Sequence, residues 1–547
     1  MLPNEPFWFG NVIGSGGIAL AVLLAPATAS AQSLSADRIG AIEQHIQRLE
    51  GELQALKREL GATRKQLRES RREVEAARAR ASQPASPPDQ PLVQPRTEAP
   101  LAASPTIAAK SEPRIVKTSR NRFGLESADG RYSIALTGRL HFDAGDYLDY
   151  HPQSRFASVQ NLNSGVNARR ARLGVVGKFA EDWNYTFIYD FGGSSDGLPP
   201  TAGAPSSGIE NAFITYNGLN KGPLPLAFDL GYLSTPFTLG RATSSNDILL
   251  VERASAQVIA DAIMGGDSRS ALGVRSNDER YWAGVYLTGP QAGTAHNTGK
   301  QLGVIGRATY QVVQQPNSSV HVGIDTGGLL KPPTVDGIRT ITLSDRPELR
   351  VDPTVVLTTG ALGTAANPLS NAAVYGFEAA AAYENLFIEG EYYWIAVNRD
   401  GLAGNTFGGG YVEGSWALTG EHRLYNPERG AYFSIVPARP FSPWEDEFGI
   451  GAFELAARYS TIDLNDKFVP GAVPGPANAV GGGRQTVYAV GLNWYPNSNM
   501  RFMLDYLHGT IDKRFSTAAG GGVTGAPPGT PVGGNFDAVV LRTQVAF

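Results

Sequence analysis

The feature that most narrows what this chain can become is an alternation at its very end. Read in steps of two, Val539, Leu541, Thr543, Val545 and Phe547 share one face of a strand, and Val540, Arg542 and Gln544 share the other. Just upstream, TVYAVGLNWYPNSNMRFMLDYLH repeats the pattern on both sides of a turn, Pro496 to Asn499. There Tyr488, Val490, Leu492 and Trp494 line up on one strand, and Phe502, Leu504 and Tyr506 on the next. Successive side chains of a strand point to opposite sides, so this is a hairpin with one apolar and one polar surface. In a soluble sandwich the apolar side would be the core. Here aromatics crowd the strand ends, Arg501, Asp505 and Arg542 occupy the polar side, and the last residue is a phenylalanine. That combination predicts an all-β fold, a transmembrane antiparallel barrel with lipid outside and water inside.

The rest of the C-terminal region agrees. Outside the N-terminus no apolar run reaches about 20 residues, which excludes membrane-spanning helices. A membrane chain without them must close a sheet so that every backbone polar group is paired. From residue 130 onward about sixteen short alternating runs follow one another, from 133–147 and 166–180 to 485–495, 500–510 and 536–547. Short turns (Glu181-Asp182, Ser276 to Glu279, Pro316-Asn317, Glu384, Pro496 to Asn499) alternate with long connections such as 148–165, 192–208, 234–269, 463–484 and 510–535. Short turns at one end and long loops at the other are the outer-membrane pattern. Two connections break it: 421–446 falls where a short turn belongs, and 327–372 is long enough to hold another hairpin.

The N-terminal part has a different texture. IALAVLLA, Ile18 to Ala25, followed by Ala29-Ser30-Ala31, reads as a signal peptide over residues 1–31. The segment before it carries Glu5 and no Lys or Arg, which a misassigned start codon would explain. Within residues 32–81 a heptad runs from Ile39, with Ile39, Ile46, Leu53, Leu60, Leu67 and Val74 at one seam position and Ile42, Leu49, Leu56, Thr63, Ser70 and Ala77 at the other, so the seam loses apolar character after Leu60. This predicts an α-helical coiled coil in the periplasm, with early Ile at both seam positions leaning towards a trimer. Residues 82–129 begin as a Pro, Ala and Ser mixture that cannot bury a core and act as a linker. The barrel then occupies 130–547. Cysteine is absent, which argues against disulfides and thiolate metal sites and suits an exported protein. A net charge of −4 gives no hint of nucleic-acid binding.

Candidate functional residues are those facing away from lipid, because a basic residue on the lipid face costs about 2–4 kcal/mol at the midplane. In the first strand Ile134, Leu136, Leu140 and Phe142 face out, leaving Arg139, His141 and Asp143 inside. In the second, Arg170, Arg172 and Lys178 are inside, while strict alternation puts Arg169 on the outer face near the strand's start. Later strands turn acidic inside: Glu378, Glu389, Glu391, Glu413 and Glu454, beside Arg458 and Arg501. Basic early and acidic late would set a positive arc against a negative one across water; the alternative is that these charges pair with one another. The connection 234–269, with its apolar patches and Arg241, Glu252 and Arg253, is the expected constriction if it folds into the lumen. Basic rings select anions in pores. No nucleophile elbow, metal-ligand spacing among the seven His, or phosphate-cradling Gly loop stands out, so no catalytic residue, cofactor or metal is expected.

Several blocks in order carry a resemblance: GVNARRARLGVVGKFAEDWNYTFIYDFGG, GYLSTPFTLGRATSSNDILLVERASA, RPELRVDP, VYGFEAAAAYENLFIEGEYY, GAFELAARYSTIDLND, and GLNWYPNSNMRFMLDYLHG with the terminal strand. Together they resemble the phosphate-selective porin O and P family of Gram-negative outer membranes, over roughly Gly130 to Phe547. The resemblance implies a sixteen-stranded homotrimeric porin passing small anions, phosphate foremost. It also implies that Phe547 is read by the barrel-assembly machinery. An arginine ladder and constriction lysines line the family's pores. Arg139, Arg169-Arg170 and Arg253 stand in matching blocks, but no Lys lies between Gly231 and Arg275, so the lysine half is missing. The rival reading is an envelope tether, with the coiled coil held by a barrel that transports little. A barrel enzyme rests only on fold analogy.

Overall fold

A computed structural model describes residues 114–117, 122–157, 159–192, 208–222, 224–264, 268–290, 301–444, 448–472, 476–515 and 526–547. The signal peptide, the coiled coil and most of the linker read from the sequence lie outside them.

Sixteen antiparallel strands close on themselves: β1 Ser133–Pro152, β2 Gly165–Phe179, β3 Trp183–Asp190, β4 Gly208–Leu219, β5 Leu226–Leu233, β6 Arg269–Asn277, β7 Tyr281–Thr288, β8 Leu302–Gln315, β9 Ser318–Lys331, β10 Leu369–Tyr383, β11 Leu386–Arg399, β12 Asn405–Ala417, β13 Ala452–Asp466, β14 Val480–Asn497, β15 Met500–Asp512 and β16 Gly534–Ala546. Each pairs with its sequence neighbours, and β16 returns to β1 with Gly534 opposite Pro152 and Ala546 opposite Arg139. The sheet therefore closes on itself and pairs the wall's backbone groups strand to strand, the condition hydrocarbon imposes. The apolar alternates form the outer face: Ile134, Leu136, Leu140, Phe142, Leu173, Tyr488, Val490, Leu504 and Leu541 are all exposed. So much exposed apolar surface is far beyond what a soluble monomer tolerates, and a bilayer is the solvent that suits it. Trp494 stacks between Phe453 and Phe502 near the short-turn end, as an interfacial aromatic belt requires.

Below the barrel seam the chain is knitted further. The short strand Phe123–Glu126 pairs with the start of β1, Gly124 opposite Ala135, on the side where β16 has already ended. Phe547 exchanges both backbone hydrogen bonds with Gly138, 3.0 Å each, and its ring lies over that glycine. A Cβ on Gly138 would sit 2.3 Å from the ring's Cζ. Gly138→Ala should therefore displace the terminal ring and lower the yield of folded, heat-modifiable barrel. Mobility on unheated gels reads this out, and wild-type yield would count against the role given to Phe547.

One outward assignment needs correction. β2 steps out of register against β1: His141 pairs with Arg170 but Phe142 pairs with Ala168, so Arg169 is an extra residue in the ladder. A bulge of this kind turns a side chain that alternation would send outward. Arg169 points inward and is 1% exposed.

The interior is far from empty. Among the described residues, three insertions enter it. Residues 234–268, between β5 and β6, carry helix α1 (Leu239–Ala242) and helix α2 (Ser255–Ile263). The connection after β9 does contain a further hairpin, Thr342–Asp345 with Leu357–Ala361. The irregular connection after β12 enters from the short-turn end and pairs Tyr425–Asn426 with Ala431–Tyr432. Its length is thus explained by a lumen contact: Tyr425 and Tyr432 meet His321 and Phe387 of the wall.

Candidate functional site: the constriction and its basic passage

The loop 234–268 folds inward because its apolar stretch has somewhere to pack. Leu239, Leu249, Leu250, Val251, Ala256 and Ile259 are buried with wall residues such as Tyr393, Ile395 and Val487. Burying a loop also buries its backbone polar groups, which then need partners. Charged wall side chains supply them. Glu391 of β11 accepts from the amides of Leu239 at 2.7 Å and Gly240 at 2.9 Å, at the first turn of α1. Asp505 of β15 accepts from the Val251 amide at 2.7 Å. Arg501 donates to the carbonyls of Ile248 at 2.7 Å and Leu249 at 3.0 Å and lies 4.9 Å from the Tyr495 ring. The Ser255 amide, opening α2, donates to Glu348 at 2.8 Å.

Glu252 is the loop's fastening point. Arg169 binds it in a fork at 2.5 and 2.9 Å, and Arg542 reaches it at 3.1 Å while holding Asp143 at 2.6 Å. Burial alone would raise the Glu252 carboxyl, but Arg169, Arg170 and Arg542 outweigh it and hold it well below the usual carboxylate range.

The predicted acidic wall has a similar task. Glu454 is forked by Arg423 of the third insertion at 2.9 and 3.0 Å. Glu378 takes Arg307 at 2.7 Å and His321 at 2.7 Å. Arg458 joins Glu348 at 2.5 Å, Glu413 at 3.3 Å and the Glu252 carbonyl at 2.7 Å. Glu389 is buried beside them. None of Glu378, Glu389, Glu391, Glu413 and Glu454 lines the cavity described next, and neither do Arg169, Arg458 and Arg501. The expected negative arc facing water is instead packed beneath the insertions, because those polar backbones draw the charges.

The remaining predicted residues converge. A cavity of about 710 Å³ runs along β1 to β4 from the short-turn end to the loop, lined by Arg139, Arg170, Arg172, Lys178, Arg241 and Arg253. Arg122 and Arg429 join them, against Glu210, Asp247 and Glu428. Arg139 donates to the Ser245 and Ser244 hydroxyls at 2.5 and 3.3 Å. Arg253 donates to the Gly240 and Thr243 carbonyls at 2.7 and 2.9 Å, and Lys178 to the Gly130 carbonyl at 3.1 Å. Arg172 is shared between Asp190 and Glu210, 2.7 Å to each, and Arg241 pairs with Asp261. Basic side chains thus outnumber acidic ones around a passage pushed to one side of the barrel. Arg122 and Arg429 line the cavity without having been singled out in the sequence, and Arg542 was placed on the polar side of its strand without a role. For Arg429 the signal was available in the anomalous length of its connection.

A family model described as phosphate-selective porin O and P matches residues 134–547, the whole barrel. The chain belongs to that family. It is an outer-membrane porin barrel, a channel rather than an enzyme. Porin O of Pseudomonas aeruginosa is 24% identical over 427 residues, which cover 75% of this porin and 90% of that protein. A protein of Caulobacter vibrioides is 27% identical over 459 residues, 80% of each. Among solved structures, the anion-selective porin from Comamonas acidovorans has a TM-score of 0.44 at 14% identity, covering 76% of this chain and 100% of that one. The outer membrane channel DcaP of Acinetobacter baumannii gives 0.42 at 11% identity, covering 77% and 99%.

Proposed function

We propose that this porin lets small anions, phosphate-like ones foremost, and other small hydrophilic solutes diffuse passively along the passage beside β1 to β4. The observation that carries the reading is the convergence of Arg139, Arg170, Arg172, Lys178, Arg241 and Arg253 on one cavity from which the acidic wall is excluded. Closely spaced cations in a narrow, low-dielectric passage attract anions and repel cations. No lysine lies in the loop between Gly231 and Arg275, so arginine hydroxyl-and-carbonyl clusters, rather than lysines, set the preference at the constriction. Planar-bilayer recording under a salt gradient tests this: the reversal potential should move towards the anion's Nernst value, and phosphate should reduce chloride current. A cation-directed potential would overturn it.

The accompanying proposals keep the sequence reading. A signal peptide, residues 1–31, precedes a periplasmic coiled coil, 32–81, and a linker, 82–129, before the barrel. The barrel sits in outer-membrane lipid as a homotrimer, and Phe547 is presented to the assembly machinery. The heptad run supports a second role as an envelope tether; recordings of a chain lacking 32–81 should show unchanged conductance, and loss of conductance would refute that separation.

A further inference from the structure

We propose that Asp325, Glu378 and Glu391, on the adjoining strands β9, β10 and β11, form a buried site for a hard divalent cation, Ca²⁺ above all, which pins the constriction loop. Their ligand atoms all lie within 4.8 Å of one another, and all three residues are buried. Oxygens this close can share one cation with bonds of about 2.3–2.6 Å, the Ca²⁺ range.

The second observation is independent of this clustering. Both carboxylate oxygens of Asp325 are buried without a hydrogen-bond partner, and the residue is 4% exposed. The Gln257 Oε1, on helix α2, is also unpartnered. Native interiors rarely leave so many polar atoms unsatisfied in one place, and those that do commonly hold an ion. Glycines let the carboxylates take these positions: a Cβ on Gly376 would lie 2.2 Å from Asp325 Oδ1, and one on Gly323 would lie 2.6 Å from Glu378 Oε1, so a side chain at either would push a ligand oxygen away. Charge points the same way. Arg307 balances Glu378, which leaves the charges of Asp325 and Glu391 for a divalent ion to neutralise. An all-oxygen donor set with no thiolate favours Ca²⁺ over zinc or copper. Glu391 is also the residue that holds the amides of Leu239 and Gly240, so an ion that fixes this carboxylate fixes the loop.

The test uses the full-length chain refolded in detergent, free of lipopolysaccharide, stripped with chelator and titrated with Ca²⁺ alone. The expected result is about one ion per chain, with a rise in the thermal midpoint, and affinity at least about tenfold weaker in Asp325→Asn. Tb³⁺ in place of Ca²⁺ should show, from luminescence lifetimes in H₂O and D₂O, an ion stripped of most of its water; this needs no variant to fold. A wild type indifferent to Ca²⁺, equal binding by Asp325→Asn, or a Tb³⁺ that keeps the hydration of a surface-held ion would each overturn the site. So would an Asp325→Asn barrel more stable than a wild type that binds nothing, since the carboxyl would then be carrying a proton.

Discussion

Arg542→Ala is expected to loosen the constriction loop and to destabilise the folded barrel by about 3–5 kcal/mol, the usual cost of removing one partner of a buried ion pair. Arg542 is 0% exposed, and its guanidinium holds Asp143 in a two-pronged bond of 2.6 Å each while reaching Glu252 at 3.1 Å. Glu252 would keep Arg169, but Asp143 would be left as a bare buried carboxylate. The barrel can relieve that strain in two ways, by unfolding more readily or by letting the loop tip withdraw so that water reaches Asp143. The first lowers the denaturation midpoint; the second appears as current noise and altered single-channel conductance. Arg542→Lys keeps the charge but loses the fork and should fall between. A variant as stable and as quiet as wild type would remove Glu252 and Asp143 from their place as the loop's fastening.

Selectivity should respond most to Arg170→Ala combined with Arg172→Ala. Both residues line the passage, and Arg172 also neutralises Asp190 and Glu210 at 2.7 Å each. Its removal leaves those two carboxylates unopposed beside the passage, and the double change lowers the local charge by two units. At an effective dielectric of about 20 and roughly 8 Å, one unit charge is worth about 2 kcal/mol to a passing ion. The anion-to-cation permeability ratio should therefore fall by about tenfold or more in 0.1 M salt, with a smaller change in 1 M salt, where screening shortens to about 3 Å. Arg458→Ala serves as the contrast, because Arg458 lies under the loop, away from the cavity. Equal shifts from both changes would mean that the current does not follow the β1 to β4 wall.

The wall was legible because its physics is local. Lipid on one side and water or packed polar groups on the other force a period of two, and each of the sixteen strands carries that period within its own residues. The interior was not legible for the opposite reason. Asp143 and Arg542 meet across 399 residues, and Arg501 finds Leu249 across 252. Nothing in either stretch marks which inward charge will meet water and which will hold a buried amide. Glu391 and Glu454 look alike in their strands, yet one caps a loop helix and the other clamps an insertion. Arg169 was misplaced by the same rule that placed its neighbours, because one extra residue in a ladder leaves no trace in the alternation. The connection 421–446 shows how far sequence can go. Its length announced an exception, but only its partners in the lumen say what the exception is for.

The short strand 123–126 has a further consequence. β1 runs on below the point where Phe547 ends the last strand, so its lower residues would otherwise present bare amides and carbonyls to any extended chain nearby. Such an open border invites strands from other molecules and is a starting point for aggregation. Phe123–Glu126 occupies it, and Arg114–Lys117 covers that strand in turn, so the border moves to a segment of four residues. The porin thereby protects this margin with chain that leads into the barrel.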